Sequence, residues 1–218
     1  MLLNTMGSET NIKLPFSFII FSLVALVISQ ILVLVNGQML VNGSFRIPAI
    51  WSAAHLLVLG WALMVAMGAM YQLVPVAFLT KIWNEKFGFI QFFVTAIGIA
   101  SFSWMLYVSP QNALLPGILM LLGILMFLFQ MFMTLKKQAK PNILTAFVGS
   151  ALVCLFLTIF LGITLIYSLQ TGFAAEHYRA IFKSHLLMGV TGWFTLLIFG
   201  FSYKMAPMFS LSHGFPMI

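Results

Sequence analysis

Six long apolar runs, separated by short polar segments, organise the chain. They cover about residues 14–35, 49–75, 87–108, 113–135, 143–168 and 180–206. Each run is near or above the roughly 20 residues that an α-helix needs to cross a bilayer. The first run is longer than the core of a signal peptide and follows no basic segment, so we expect it to be retained. The pattern predicts an all-α integral membrane protein, a six-transmembrane-helix bundle forming one domain over 1–218.

The composition agrees with this pattern. Hydrophobic residues make up 62% of the chain and charged residues only 6%, whereas soluble domains carry about 25% charged residues. The net charge of +7 comes from basic residues in the short segments between apolar runs, where they orient a chain in a bilayer. The expected partner is therefore the lipid bilayer and not nucleic acid. The single cysteine, Cys154, excludes an intrachain disulfide.

The basic residues divide unequally between the two ends of the predicted bundle. One end carries seven lysines: Lys13, Lys81, Lys86, Lys136, Lys137, Lys140 and Lys204. The other end carries Arg46, Arg179 and Lys183. Because cytoplasmic loops are enriched in Lys and Arg, we predict a multi-pass protein of the cytoplasmic membrane with both termini in the cytoplasm.

Two of the predicted helices share a sequence frame. Gly60-Trp61, Gly68, Tyr71 and Pro75 of the second helix match Gly192-Trp193, Gly200, Tyr203 and Pro207 of the sixth at one constant offset. Five matches at one offset are hard to attribute to apolar composition alone. We therefore predict an internal repeat, in which helices 1–2 correspond to helices 5–6.

Each of these two helices also carries one histidine near its outer end. His55 and His185 lie about five or six residues below that end, which corresponds to a depth of roughly 8 Å at 1.5 Å per residue. A metal-binding side chain at this position is a functional-site hypothesis by default. The matched depth favours ligation of one haem iron by both imidazoles, with structural hydrogen bonding as the alternative. The histidines are not equivalent in the repeat, because a two-residue offset turns one by about 200° on an ideal helix.

Small and cationic residues near the histidines suit the same interpretation. Ala62, Ala66 and Ala69 follow His55 at helical spacing, and Gly189 and Gly192 follow His185. Such residues let a porphyrin approach the backbone, although they also let helices pack closely. Arg46 and Arg179 fall on the same side as the histidines, where they could bind haem propionates or anchor the chain at the interface.

The chain contains two further histidines, and neither is a clear ligand. His177 lies in the predicted outer loop, where a solvated side chain, a second-site ligand and a propionate partner are all open. His213 lies in the C-terminal tail, on the opposite side of the predicted bundle. Under this topology the two cannot meet in one site.

The segments AHLLVLGWALMVAMGAMYQLVP and SHLLMGVTGWFTLLIFGFSYKMAP resemble the histidine helices of the haem–copper oxidase subunit I superfamily. The likeness is closest to its nitric-oxide-reductase, C-type oxidase and NnrS-like branches. It implies that His55 and His185 are the axial ligands of a low-spin haem and that Arg46 and Arg179 bind its propionates. Family members that reduce dioxygen or NO have about twelve helices and a second metal held by three histidines. This chain looks like a minimal relative that keeps one haem.

The resulting hypothesis is a membrane protein that binds one haem b per chain. It would transfer electrons to or from a quinol or a redox partner protein. Two strong axial ligands leave no open coordination position, so the iron is expected to shuttle one electron and not to bind a gas. Only His177 and His213 remain, on opposite sides, so catalysis at a second metal is not expected. One alternative is a haem or NO sensor, or a haem carrier, that uses the same site. The other is a haem-free transporter or assembly factor.

Overall fold

The computed structural model describes residues 10–138 and 140–210, and this part of the chain is helical throughout, without strands. Six of its helices are long and apolar enough to cross a membrane. They are α1 (Lys13–Val35), α2 (Pro48–Phe78), α3 (Glu85–Val108), α4 (Leu114–Leu135), α5 (Ile143–Thr171) and α6 (178–209). The prediction of six such helices is confirmed. Residues 1–9, Ala139 and the tail with His213 lie outside the described residues.

Local sequence signals explain several of the helix boundaries. Asn84 caps α3 by accepting a hydrogen bond from the Phe87 backbone N–H. Asn142 and Thr145 form a reciprocal capping box at the start of α5. Gly172, at φ 76°, ends α5 in the left-handed conformation that glycine adopts without steric cost. Two of the six long helices, α3 and α5, therefore begin or end where the sequence carries a recognised cap or stop signal.

The helices α2 and α6 are not uniformly α-helical. Each contains a π-helical segment that starts just after its histidine, Leu56–Leu63 in α2 and Leu187–Thr195 in α6. A wider turn of this kind rotates the following side chains relative to an ideal α-helix, and such segments occur frequently at functional sites. The 200° estimate for the histidine offset assumes an ideal helix, so it does not describe these helices.

Consecutive helices pack antiparallel, and the pairs α1–α2, α3–α4 and α5–α6 make the most extensive contacts. The α3–α4 pair is the closest. A Cβ at Gly98 would lie 2.5 Å from the Met120 Cα, and one at Gly123 would lie 2.7 Å from the Thr95 Cα. The two backbones can approach this closely only because each crossing point is a glycine.

A buried polar cluster joins α2, α3 and α4. The Tyr71 hydroxyl donates to Gln91 Oε1 at 3.1 Å, and Gln91 Nε2 donates to Thr95 Oγ1 at 2.7 Å. Gln91 Nε2 also approaches the Gly123 carbonyl oxygen at 3.4 Å. Because both ends of the amide are bonded, Gln91 acts as a helix–helix contact.

We expect Tyr71→Phe to lower the free energy of unfolding by about 1–3 kcal/mol, because it leaves the buried Gln91 Oε1 without its donor. Thermal unfolding in detergent measures the effect. Tyr167→Phe is the matched control, since Tyr167 is 42% exposed. Equal melting temperatures for the two variants would contradict the role given to this cluster.

Candidate functional site

His55 is the last residue of the α-helical segment Pro48–His55, just before the π-helical segment of α2. Its Nδ1 lies 2.7 Å from the Trp51 carbonyl oxygen, one turn earlier on the same helix. Because a carbonyl oxygen only accepts, Nδ1 carries the proton and donates it. The ring packs edge-on against Phe102 of α3, with 5.3 Å between ring centroids and an interplanar angle of 79°. The orientation of His55 is thus set by α2 itself and by one aromatic contact.

His185 lies in the α-helical segment Tyr178–Leu186, just before the π-helical segment of α6. Its Nδ1 lies 2.8 Å from the Thr158 carbonyl oxygen of α5, so this nitrogen is also the donor. The ring lies against Gly162, where a Cβ would be only 3.0 Å from the His185 Cε1. Neither Thr158 nor Gly162 was predicted from the sequence, where the available signal was a glycine inside an apolar run.

The two histidines share one hydrogen-bonding pattern. Each donates Nδ1–H to a backbone carbonyl, which leaves a lone pair on each Nε2. Among the described residues, no hydrogen-bond partner is found for either Nε2. Imidazoles that bind metals have this arrangement, with one nitrogen oriented by a carbonyl and the other free.

The described helices α2 and α6 do not pack closely against each other. Between them lies an apolar crevice of about 300 Å³. Its lining residues on α2 include Trp61 and the three predicted alanines, Ala62, Ala66 and Ala69. The crevice begins at Trp61, six residues along α2 from His55. The alanines therefore face open space between the two histidine helices.

Gly189 and Gly192 have a different environment, because they face α5. A Cβ at Gly189 would lie 3.1 Å from the Thr158 Cγ2, and one at Gly192 would lie 2.8 Å from the Cys154 Sγ. Of the two roles considered for these glycines, close helix packing is the one that this geometry supports. His185 lies on the same α5-facing side of α6.

Arg46 and Arg179 both lie at the end of the bundle nearer to the histidines. Arg46 is exposed in the segment before Pro48, and Arg179 is exposed at the second residue of α6. His177 Nδ1 lies 3.8 Å from Glu176 Oε1, its neighbour in the chain. Both side chains are more than two-thirds exposed, so His177 lies in solvent and not beside the rings of His55 and His185.

The described residues contain no cluster of three or more His, Cys, Asp or Glu side chains that could hold a metal ion. Two imidazoles can nevertheless serve a haem iron, because the porphyrin supplies the other four nitrogens. No family model, curated protein or solved structure matches the chain.

Proposed function

We propose that the chain is a membrane haem protein in which His55 and His185 are the axial ligands of one haem b, and that it transfers electrons. The observation that carries the proposal is the matched hydrogen bonding, since both Nδ1 atoms donate to carbonyls and neither Nε2 atom has a partner among the described residues. The same bonds fix each ring in the tautomer that can bind iron through Nε2.

The surroundings of the histidines fit a porphyrin. On one side along α2 lies the alanine-lined apolar crevice, and on the other lie the exposed guanidinium groups of Arg46 and Arg179. A haem has the same polarity, with an apolar edge and an edge that carries two propionates. The crevice would accept the apolar edge, and the arginines would bind the carboxylates.

Electron transfer is the activity that suits this ligand set. When bound, haem supplies a one-electron iron couple, whose potential the axial ligands and the dryness of the site adjust. His55 and His185 would hold the ring between them, and the apolar lining would exclude water. A quinol or a redox protein would exchange the electron.

The proposal includes membrane insertion and an internal repeat. The seven lysines would face the cytoplasm together with both termini. Gly60 and Gly68 pack on Ala25 and Phe18 of α1, and Gly192 and Gly200 pack on Cys154 and Phe147 of α5. In both pairs of helices the contacted residues are seven apart, which supports a common origin of the two hairpins.

Haem content tests the proposal. We expect protein purified from a haem-replete host to contain one haem b per chain, measured as the pyridine haemochrome against protein concentration. Colourless protein from such a host would favour a haem-free transporter or assembly factor.

A smaller effect is expected from replacing the two arginines. We expect Arg46→Gln or Arg179→Gln to increase the rate of haem loss up to about fivefold, since an exposed ion pair contributes ~0.2–1 kcal/mol. Transfer of haem to an excess of apomyoglobin measures this rate. Lys137→Gln, at the opposite end of the bundle, is the control. Unchanged rates in both arginine variants would leave them as interfacial anchors only.

A further inference from the structure

We infer that His185 is the exchangeable histidine of the pair, and that a small uncharged diatomic ligand of ferrous iron, such as carbon monoxide, binds in its place. The inference rests on the proposed function and adds an asymmetry between the two ligands. His55 is the permanent ligand, and His185 is the one that leaves.

The two histidine helices are held very differently. The helix α2 packs against α1 along its whole length and also against α3. Half of its most apolar window is buried, whereas only 22% of the corresponding window of α6 is buried. Within the described bundle, α6 packs closely against α5 and makes no more than isolated contacts with other helices. A small movement of α6 therefore disturbs far less packing than the same movement of α2.

The hydrogen bonds of the two rings show the same asymmetry. The Nδ1 bond of His55 ends on Trp51 of its own helix, so the orientation of the ring relative to α2 does not depend on a bond to another helix. The Nδ1 bond of His185 crosses to Thr158 of α5. The direction of the His185 ring thus depends on the spacing between α5 and α6. Besides this bond, the ring contacts Gly162 of α5, whereas the residues on either side of His185, Ser184 and Leu186, are exposed.

The crevice between α2 and α6, which begins six residues along α2 from His55 and nine residues along α6 from His185, would be the route for the incoming ligand. Its lining is apolar except for Ser202, and it includes Val65, Leu197 and Ile198. A diatomic gas dissolves in the hydrocarbon of a bilayer and can enter such a crevice without a polar path. The exchange would be a substitution without redox change. His185 would leave as a neutral imidazole, and the incoming ligand would supply the lone pair that replaces that of Nε2.

The first test compares the two alanine variants by haem retention. We expect His185→Ala to keep haem, bound through His55 alone, and to take up carbon monoxide at once after reduction. We expect His55→Ala to lose most of its haem during purification. Equal retention in the two variants, or better retention in His55→Ala, would overturn the inference.

The second test changes the support of His185 and leaves the ligand in place. A Cβ at Gly162 would lie 3.0 Å from the His185 ring, whereas a Cβ at Gly149, on the same helix, would meet nothing within 4 Å. In the reduced wild type, the rate of carbon monoxide binding should reach a limit that no longer depends on gas concentration, because the departure of His185 is then the slowest step. We expect Gly162→Ala to raise that limiting rate about tenfold, since overpacking costs ~1–3 kcal/mol. Gly149→Ala should leave the rate unchanged.

A third variant covers the case in which Gly162→Ala fails to fold. A Cβ at Gly200 would lie 2.8 Å from the Phe147 Cβ of α5, so Gly200→Ala moves α6 without touching the histidine, and it should also accelerate binding. Wild-type protein that holds haem but never binds carbon monoxide would contradict this inference and leave the proposed function standing. Wild-type protein without haem would contradict the proposed function itself.

Discussion

Replacing His55 or His185 with alanine is expected to abolish the low-spin bis-imidazole spectrum of the protein. Each variant removes one Nε2 ligand atom, and no other histidine of the described residues can take its place. Within the described residues, His177 lies in an exposed loop beside Glu176. The change should therefore be complete in both variants, although the amount of haem that each one keeps should differ.

The control for this experiment is His177→Ala, which removes an imidazole of the same chemistry from the exposed loop. It should keep the wild-type spectrum and haem content. Far-ultraviolet circular dichroism and gel filtration in detergent would show that all three variants remain folded. Unchanged low-spin spectra in both His55→Ala and His185→Ala would rule out this pair as the haem ligands.

The largest effect on folding is expected from Gly98→Ala and Gly123→Ala. At Gly98 a Cβ would lie 2.5 Å from the Met120 Cα and 2.6 Å from the Met120 N, and at Gly123 it would lie 2.7 Å from the Thr95 N and Cα. These are backbone atoms, which cannot move aside as a flexible side chain can. Overpacking of this kind costs ~1–3 kcal/mol and occasionally more, so each variant should melt at a markedly lower temperature.

The helices α3 and α4 connect the α1–α2 hairpin, which carries His55, to the α5–α6 hairpin, which carries His185. Moving α3 and α4 apart should therefore also lower the yield of folded protein. Gly149→Ala is the matched control, with nothing within 4 Å of the added Cβ. A melting temperature for Gly98→Ala or Gly123→Ala as high as that of Gly149→Ala would contradict the close α3–α4 contact.

The helices could be predicted from the sequence because the apolar runs end at turn signals. The prediction for α5 ended at residue 168, and the helix continues to Thr171 because Gly172 is the first residue in the left-handed conformation. Likewise α2 continues past Pro75 to Phe78. A proline within a helix removes one hydrogen bond, and it does not have to end the helix.

The surroundings of the histidines could not be predicted in the same way. The π-helical segments after His55 and His185 change the backbone hydrogen bonds without changing hydropathy, so they leave no sequence pattern. The contact of His185 with Thr158 and Gly162 depends on which face of α5 meets α6. For the same reason, the sequence could not separate Ala62, which lines the crevice, from Gly192, which packs on α5.

The most direct test of the central proposal is the absorption spectrum of the purified wild-type protein, recorded oxidised and then reduced. The proposal predicts the sharp reduced bands of a low-spin, bis-imidazole haem b in both detergent and lipid nanodiscs. Protein that is colourless after expression in a haem-replete host, or that holds only a high-spin haem in both states, would contradict it.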